Sequence, residues 1–351
     1  MNRPPPGQLA ESLIAWQGQH GRHTLPWQQT RDPYRVWLSE IMLQQTQVAT
    51  VLVYYQRFLA QLPDVAALAA ASQDEVYALW AGLGYYSRAR NLHRCAQAVM
   101  RDFGGAFPST APQLATLPGI GRTTAAAIAA FCFGQREAIL DGNVKRVLTR
   151  ALGFGEDLAQ ARSERALWAL AEAELPRGPG IEAYTQGLMD LGATVCTARK
   201  PACMVCPWSA ICVARAQGQP EAYPVKTRKL KRSQRASALL CLTRGDAVWL
   251  LQRPATGIWA GLWSLPEFES VPALQAWLAD GPGPGQPLPV ISHVLTHLDW
   301  ALSPVHCPLP ADSPHADALA LRWPEGRWVL REELPAYGQP TPVRKLLSDI
   351  V

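Results

Sequence analysis

The chain has 351 residues, with 33 Lys plus Arg against 28 Asp plus Glu, a net charge of +5, and eight cysteines. That length accommodates two domains of about 100 to 200 residues each and excludes a miniprotein that needs disulfide staples. No apolar run approaches the roughly 20 residues that span a bilayer, and the weak positive balance favours an anionic partner only mildly. The N-terminus, Met1-Asn2-Arg3 and three prolines, lacks a signal-peptide apolar region, so a cytoplasmic protein is expected. In a reducing compartment, clustered cysteines point to metal rather than to disulfides.

Residues 1–7 are Pro-rich and read as loose. From Leu9 to Arg215 apolar residues recur at three-to-four spacing, which predicts an all-α domain with helices over 36–59, 73–81, 89–103, 122–133, 144–152, 163–174 and 181–191. Breaks fall at Pro63, Gly82-Leu83-Gly84, Gly104-Gly105 and 176–180.

Within this domain the stretch 117–150 opens LPGIG. Pro118, Gly119 and Gly121 can turn the backbone tightly, and the Ala-rich run after them has high helix propensity. A hairpin opening onto a helix points free N–H groups and a positive dipole end outward, which suits a phosphate oxygen of a nucleic acid. The alternative is an ordinary Gly-rich helix connection. Downstream, Ala138-Ile139-Leu140 leads into Asp141-Gly142-Asn143 and a basic helix, so a carboxylate follows the phosphate clamp. Asp141 reads either as a helix N-cap or as a carboxylate held ionised for chemistry. Glu40 stands in the apolar helical setting VWLSEIML, where desolvation would raise its pKa and keep it protonated; otherwise it belongs to a polar stripe with Gln44 and Gln47. Two carboxyls in unlike environments can divide proton donation and cation stabilisation, as cleavage of a glycosidic bond requires.

Cys196, Cys203, Cys206 and Cys212 give the spacing C-x6-C-x2-C-x5-C. Four thiolates in one short loop can hold Zn(II) or a [4Fe-4S] cluster, although zinc sites usually build on two CxxC pairs and this run has one. Arg199 and Lys200 lie between the first two cysteines and could reach a phosphate. Cys95, Cys132, Cys241 and Cys307 have no partner at ligand spacing and read as core or incidental. A basic stretch, EAYPVKTRKLKRSQR, follows at 221–235, either a linker lying near phosphates or a solvated connector. Beyond it, strands over 238–243 and 247–251 around Arg244-Gly245-Asp246, a helix at 272–278, a Gly/Pro-rich loop at 281–289 and strands near 291–302 predict an α+β domain.

LPGIG followed by ILDGNVKR is similar to the helix-hairpin-helix superfamily of DNA glycosylases, and WLSEIMLQQTQVAT and GLGYYSRARNLH resemble its adenine DNA glycosylase branch, the MutY family. The likeness is dense from Thr24 to Cys212 and holds in outline over the C-terminal third. GIWAGLWSLP resembles part of a Nudix domain, but where that fold carries an acidic metal-binding helix this chain reads VPALQAW, so a recognition module rather than a pyrophosphatase is expected. The resemblance implies a multi-domain protein: an all-α glycosylase domain over 1–220 whose loop 196–212 binds a [4Fe-4S] cluster for structure and DNA docking, a basic linker over 221–236, and an α+β Nudix-like lesion-recognition domain over 237–351.

The same resemblance implies base excision repair, with hydrolysis of the N-glycosidic bond of adenine opposite 8-oxoguanine or guanine in duplex DNA. It assigns Glu40 as the acid, Asp141 as electrostatic stabiliser or transient nucleophile, and Asn143 as an orienting group. Trp27, Gln28 and Gln186 match positions lining the adenine pocket, while Gln45 and Tyr85 match wedge elements, although a tyrosine after a Gly-rich turn can also be a rim aromatic. Gly119, Gly121 and Thr123 belong to the DNA clamp, and Arg88, Arg90, His93 and Arg94 are expected to meet phosphates or cap their helix. Thr296 and His297 of HVLTH stand where relatives probe 8-oxoguanine with a Phe-Ser-His turn. Lyase members of the superfamily carry lysine where this chain has Thr123, so a monofunctional enzyme is expected, with Lys145 the nearest amine. A monomer associated with the nucleoid completes the expectation. Its rivals are a thymine or uracil mismatch glycosylase of the same superfamily and a non-catalytic iron-sulfur DNA-binding protein.

Overall fold

A computed structural model describes residues 7–227 and 231–350. The described residues form two compact units, one of 7–51, 64–66 and 94–227, the other of 52–63, 67–93 and 231–350. The expected loose N-terminus lies, but for Gly7, outside the described residues, as do residues 228–230 of the basic stretch. Among the described residues no helix is long and apolar enough to cross a membrane.

The helices are α1 (Gln8–His20), α2 (Pro33–Leu43), α3 (Val48–Gln61), α4 (Val65–Ala70), α5 (Gln73–Trp80), α6 (Ser87–Phe103), α7 (Ala111–Leu114), α8 (Arg122–Phe133), α9 (Gly142–Leu152), α10 (Ala161–Ala173), α11 (Ile181–Thr194) and α12 (Val213–Ala216). One expectation fails here. The predicted single helix over 36–59 is two, α2 and α3, because Gln44-Gln45-Thr46-Gln47 has no apolar side chain to hold a fourth turn against the core, and Gln45 takes a left-handed φ of 57°. α7 and α8 flank the expected hairpin, with Gly119 at φ 77°, where a β-carbon would be strained.

The core of the first unit gathers Leu9 and Leu13 of α1, Val144, Val147 and Leu148 of α9, Leu188 and Leu191 of α11, and Trp208. α11 crosses α9 closely because Gly192 has no side chain; a β-carbon there would stand 2.8 Å from Cβ of Asn143. Small residues at a crossing bring backbones together, and this crossing fixes where α9 begins.

The second unit holds an eight-stranded sheet: β1 (Ser233–Arg244), β2 (Ala247–Gln252), β3 (Trp263–Ser264), β4 (Glu267–Phe268), β5 (Gln286–Pro287), β6 (Ile291–Val294), β7 (Leu298–Pro308) and β8 (Gly326–Leu330). Helices α13 (Val271–Ala279), α14 (His315–Arg322) and α15 (Thr341–Ile350) complete it. β1 and β2 form the expected hairpin, Thr243 opposite Val248. β1 also runs parallel to β7, Ser233 beside Leu298 through Thr243 beside Pro308. Ser233 to Ala236, expected in the linker, are therefore strand, because β7 supplies them with a ladder partner. β1 is covered on both faces: Ala238, Leu240 and Leu242 pack with Leu274 and Leu278 of α13, whereas Leu239 and Cys241 pack with Val343 and Leu347 of α15. The segment 67–93 belongs to this unit, since Trp263 Nε1 donates to Asp74 at 3.0 Å and Tyr86 Oη donates to the Gln339 carbonyl at 2.9 Å.

Candidate active site

The first unit contains a cavity of about 1190 Å³, ample for a purine nucleoside. Glu40 reaches it from α2, whose neighbouring Val36, Trp37, Leu38, Ile41 and Met42 are buried. As a residue Glu40 is only partly covered, because it lines the cavity, but its carboxyl sits deep among protein atoms. Burial pushes its pKa up to about 8, and the negative charge of Asp141 adds to the rise. It therefore carries a proton at neutral pH.

Asp141 lines the same cavity and is the N-cap of α9: one carboxylate oxygen accepts from Val144 N at 2.7 Å. The capping reading is correct, and it is compatible with a chemical role because the cap is what orients the carboxylate. Asn143, exposed in the first turn of α9, accepts from Arg146 Nη2 at 2.9 Å, which leaves its NH₂ end to the cavity it lines. Trp27 and Gln28 come from a 3₁₀ turn over Pro26–Gln28, and Trp27 is buried. Neither amide atom of Gln28 has a partner among the described residues, although both are shut off from solvent. Buried polar groups rarely stay unpaired unless something else is to bind them. Gln186 of α11, Thr123 of α8 and Gln45 also line the cavity.

Gly119 and Gly121 stand exposed at the hairpin, and the first turn of α8 has no side-chain cap, so its N–H groups are open to an anion. In the second unit Tyr85, 48% exposed and left-handed at φ 49°, shares a hydrogen bond of 3.0 Å with Oγ1 of Thr296. His297 beside it is exposed. The expectation that Arg88, Arg90, His93 and Arg94 meet phosphates or cap their helix is corrected for two members. His93 is buried, and Arg88 is buried with its guanidinium turned inward to the carbonyls of Leu83 and Gly84 and onto the rings of Trp80 and Tyr85. Burial lowers the Arg88 pKa to about 10, and the side chain braces the turn that presents Tyr85.

The four cysteines of 196–212 line one small cavity with Arg150. Burial pushes the Cys206 thiol up to about 12, and the charges of Cys196, Cys212 and Cys203 add to the rise, so these sulfurs suit a cationic centre that would relieve their repulsion. Arg150 is almost wholly buried and donates to the Cys196 sulfur at 3.4 Å and to the carbonyls of Thr197 at 2.6 Å and Ala198 at 3.0 Å. Arg146 donates to the Cys196 carbonyl at 2.8 Å and the Gly192 carbonyl at 2.7 Å. Arg199 and Lys200 are exposed on the loop. The other cysteines are free; Cys95, Cys241 and Cys307 are buried. In the second unit α13 carries no acidic side chain.

Sequence reasoning passed over Arg22, Arg146, Arg150 and Asp190. Asp190 is buried in α11, accepts from Gln186 Nε2 at 2.9 Å and pairs with Arg22. A Gln and an Asp four apart on one helix is the signal that was available. Lys145 is held by Glu164 and does not line the cavity.

The chain matches three family models: an HhH-GPD superfamily base excision DNA repair protein over residues 38–173, an iron-sulfur binding domain of endonuclease III over 196–212, and a NUDIX domain over 237–349. It is 32% identical to an adenine DNA glycosylase of Buchnera aphidicola, over 97% of this chain and 96% of that protein. It is 34% identical to the human adenine DNA glycosylase, over 95% of this chain and 72% of that one. Among solved structures, a thermostable thymine-DNA glycosylase superposes with a TM-score of 0.53 at 30% identity, covering 59% of this chain and 95% of that chain. The cysteine loop is accordingly an iron-sulfur loop, of a protein that carries a [4Fe-4S] cluster.

Proposed function

Because this chain belongs to the adenine DNA glycosylase family, we propose that it excises adenine mispaired with 8-oxoguanine, and with guanine, from duplex DNA by hydrolysis, as a monomer. The observation that carries the reading is that a protonated Glu40 and the α9-capping Asp141 line one cavity. Adenine extruded from the helix enters that cavity between Trp27, Gln28 and Gln186. Glu40 gives its proton to the departing base at the N7 side, which turns a poor leaving group into a neutral one. Charge develops on the sugar as the bond stretches, and the Asp141 carboxylate, oriented by the Val144 N–H, stabilises it until water adds at the sugar carbon and gives its proton to the now ionised Glu40. Asn143, held by Arg146, orients the sugar side.

Gln45 and Tyr85 fill the gap left in the duplex, the hairpin N–H groups and the exposed Arg199 and Lys200 grip phosphates, and Thr296 and His297 read the opposite base. The [4Fe-4S] cluster supplies structural and electrostatic order to the loop that docks on DNA. Thr123 offers no amine for a Schiff base, so the product is an abasic site with the strand intact.

Single-turnover assays on A:8-oxoG, A:G, T:G and U:G duplexes test this reading. Adenine release from the first two, abolished in Glu40→Gln and reduced at least about 10³-fold in Asp141→Asn, supports it. Thymine or uracil release instead supports a mismatch glycosylase, and tight binding with no release supports a DNA-binding protein without catalysis.

A further inference from the structure

Behind the wall of the cavity lies a carboxylate that the mechanism above does not use. Asp190 has no accessible surface, and three N–H groups converge on it: Arg22 N on Oδ2 at 3.0 Å, Arg22 Nε on Oδ1 at 2.8 Å, and Gln186 Nε2 on Oδ1 at 2.9 Å. Paired with a guanidinium and facing only donors, a carboxylate can accept and cannot donate. An amide has two unlike ends, and Asp190 takes one of them. Gln186 is thereby prevented from turning over: its NH₂ end faces Asp190, and its carbonyl oxygen is the end left for the cavity that Gln186 lines. Gln28 differs. With neither amide atom partnered among the described residues, it can rotate to offer a donor or an acceptor, so it imposes no choice.

We propose that Asp190 sets the hydrogen-bonding polarity of the base pocket, holding Gln186 as an obligate acceptor so that the pocket admits purines with a 6-amino group and rejects those with a 6-oxo group. This rests on the adenine reading above and names the group that enforces it. Adenine presents an N–H to the Gln186 oxygen. Hypoxanthine and guanine place a carbonyl oxygen there, and two acceptors face each other with no hydrogen between them. Sites built to pair a polar group reject the mismatched analogue far more strongly than sites that only fit its shape. Asp190 is a positioning residue, since it acts through Gln186 and does not line the cavity.

The test compares kcat/KM for adenine and for hypoxanthine opposite 8-oxoguanine in the wild type, Asp190→Ala, Gln186→Ala and the double variant. Adenine excision by the wild type establishes the underlying activity independently of this proposal. The wild type should favour adenine by at least about 10³-fold, and Asp190→Ala, by freeing the amide to rotate, should cut that ratio by about 100-fold. Cluster absorbance and melting temperature verify that the variant is folded. Once Gln186 is alanine, adding Asp190→Ala should leave the ratio unchanged. An Asp190→Ala enzyme that slows on both bases with its ratio intact overturns the proposal, as does an equal change of ratio in the Gln186→Ala background. Should Asp190→Ala fail to fold, binding by the wild type decides. Duplexes with 2′-fluoro-2′-deoxyadenosine and 2′-fluoro-2′-deoxyinosine opposite 8-oxoguanine resist cleavage, and equal affinity for the two refutes an acceptor-only pocket.

Discussion

Glu40→Gln should make the protein more stable while stopping the reaction, and the gain should depend on pH in a way that only a raised carboxyl pKa produces. The folded protein holds the Glu40 proton up to about pH 8, whereas the unfolded chain releases it near the ordinary value of 4.5. Between those limits the unfolded state binds fewer protons than the folded one, so the stability of the wild type falls as pH rises. Above about 8 both states are ionised and this contribution is flat. A glutamine does not titrate and escapes the loss. The difference between variant and wild type should therefore be near its smallest at pH 4.5, reach roughly 3 kcal/mol at pH 7 and level off at about 5 kcal/mol above pH 8. Urea denaturation at pH 5, 7 and 9, followed by far-UV circular dichroism with cluster absorbance as a control, measures it. A difference constant across the three pH values refutes the account of Glu40 as a desolvated acid. So does a variant less stable than the wild type at pH 9.

Excision by the wild type should decline above about pH 8 as Glu40 loses its proton, and Asp141→Asn, which removes the second cause of the elevated pKa, should move that decline to lower pH while the residual rate is low. Single-turnover rates from pH 5 to 10 show whether the limb moves. Arg150→Met should strip four backbone carbonyls and the Cys196 sulfur of a buried donor, costing about 3 kcal/mol or more and lowering iron content per chain, read by denaturation and by absorbance near 400 nm. Borohydride trapping on abasic DNA should capture little wild-type protein because Glu164 holds Lys145, and several-fold more of Glu164→Ala; Lys145→Ala should abolish the adduct and leave adenine release within a few-fold of normal. Gly192→Val should displace α11 from Asn143, destabilising by about 1–3 kcal/mol and slowing excision without changing which base is taken.

Most of the helical domain was legible because its signals are local. The 3.6-residue period, the Gly-rich hairpin and the four-cysteine spacing each lie within a few turns of chain, and the structure has helices over the predicted stretches apart from residues 44–47. The break at Gln44–Gln47 was not legible, since no glycine or proline marks it and only the absence of core contacts for four polar side chains produces it. In the second unit the hairpin around Gly245 was readable, but the parallel pairing of β1 with β7 joins distant segments and has no local signature. The same division holds at the site. Glu40 and Asp141 stood out by residue type and setting, whereas Asp190, Arg22 and Arg88 matter through what they touch, which only the folded chain reveals. Arg88 in particular looks like a surface cation in sequence and lies inside because the backbone carbonyls of its own turn replace water as its partners.

The pairing of Ser233 with Leu298 also sets the order in which the second unit can be made. As the chain leaves the ribosome, β1 finds β2 almost at once, yet its other edge must wait some 65 residues for β7, and one of its apolar faces waits longer still, for Val343 and Leu347. During that interval a nascent strand with Leu239, Leu240 and Leu242 offers an open edge to any neighbouring chain. Lys231, Arg232 and Arg235, placed just before and at the start of it, put like charges where two such edges would meet. Like charges at that position oppose the pairing of two such edges before the chain ever encounters a phosphate.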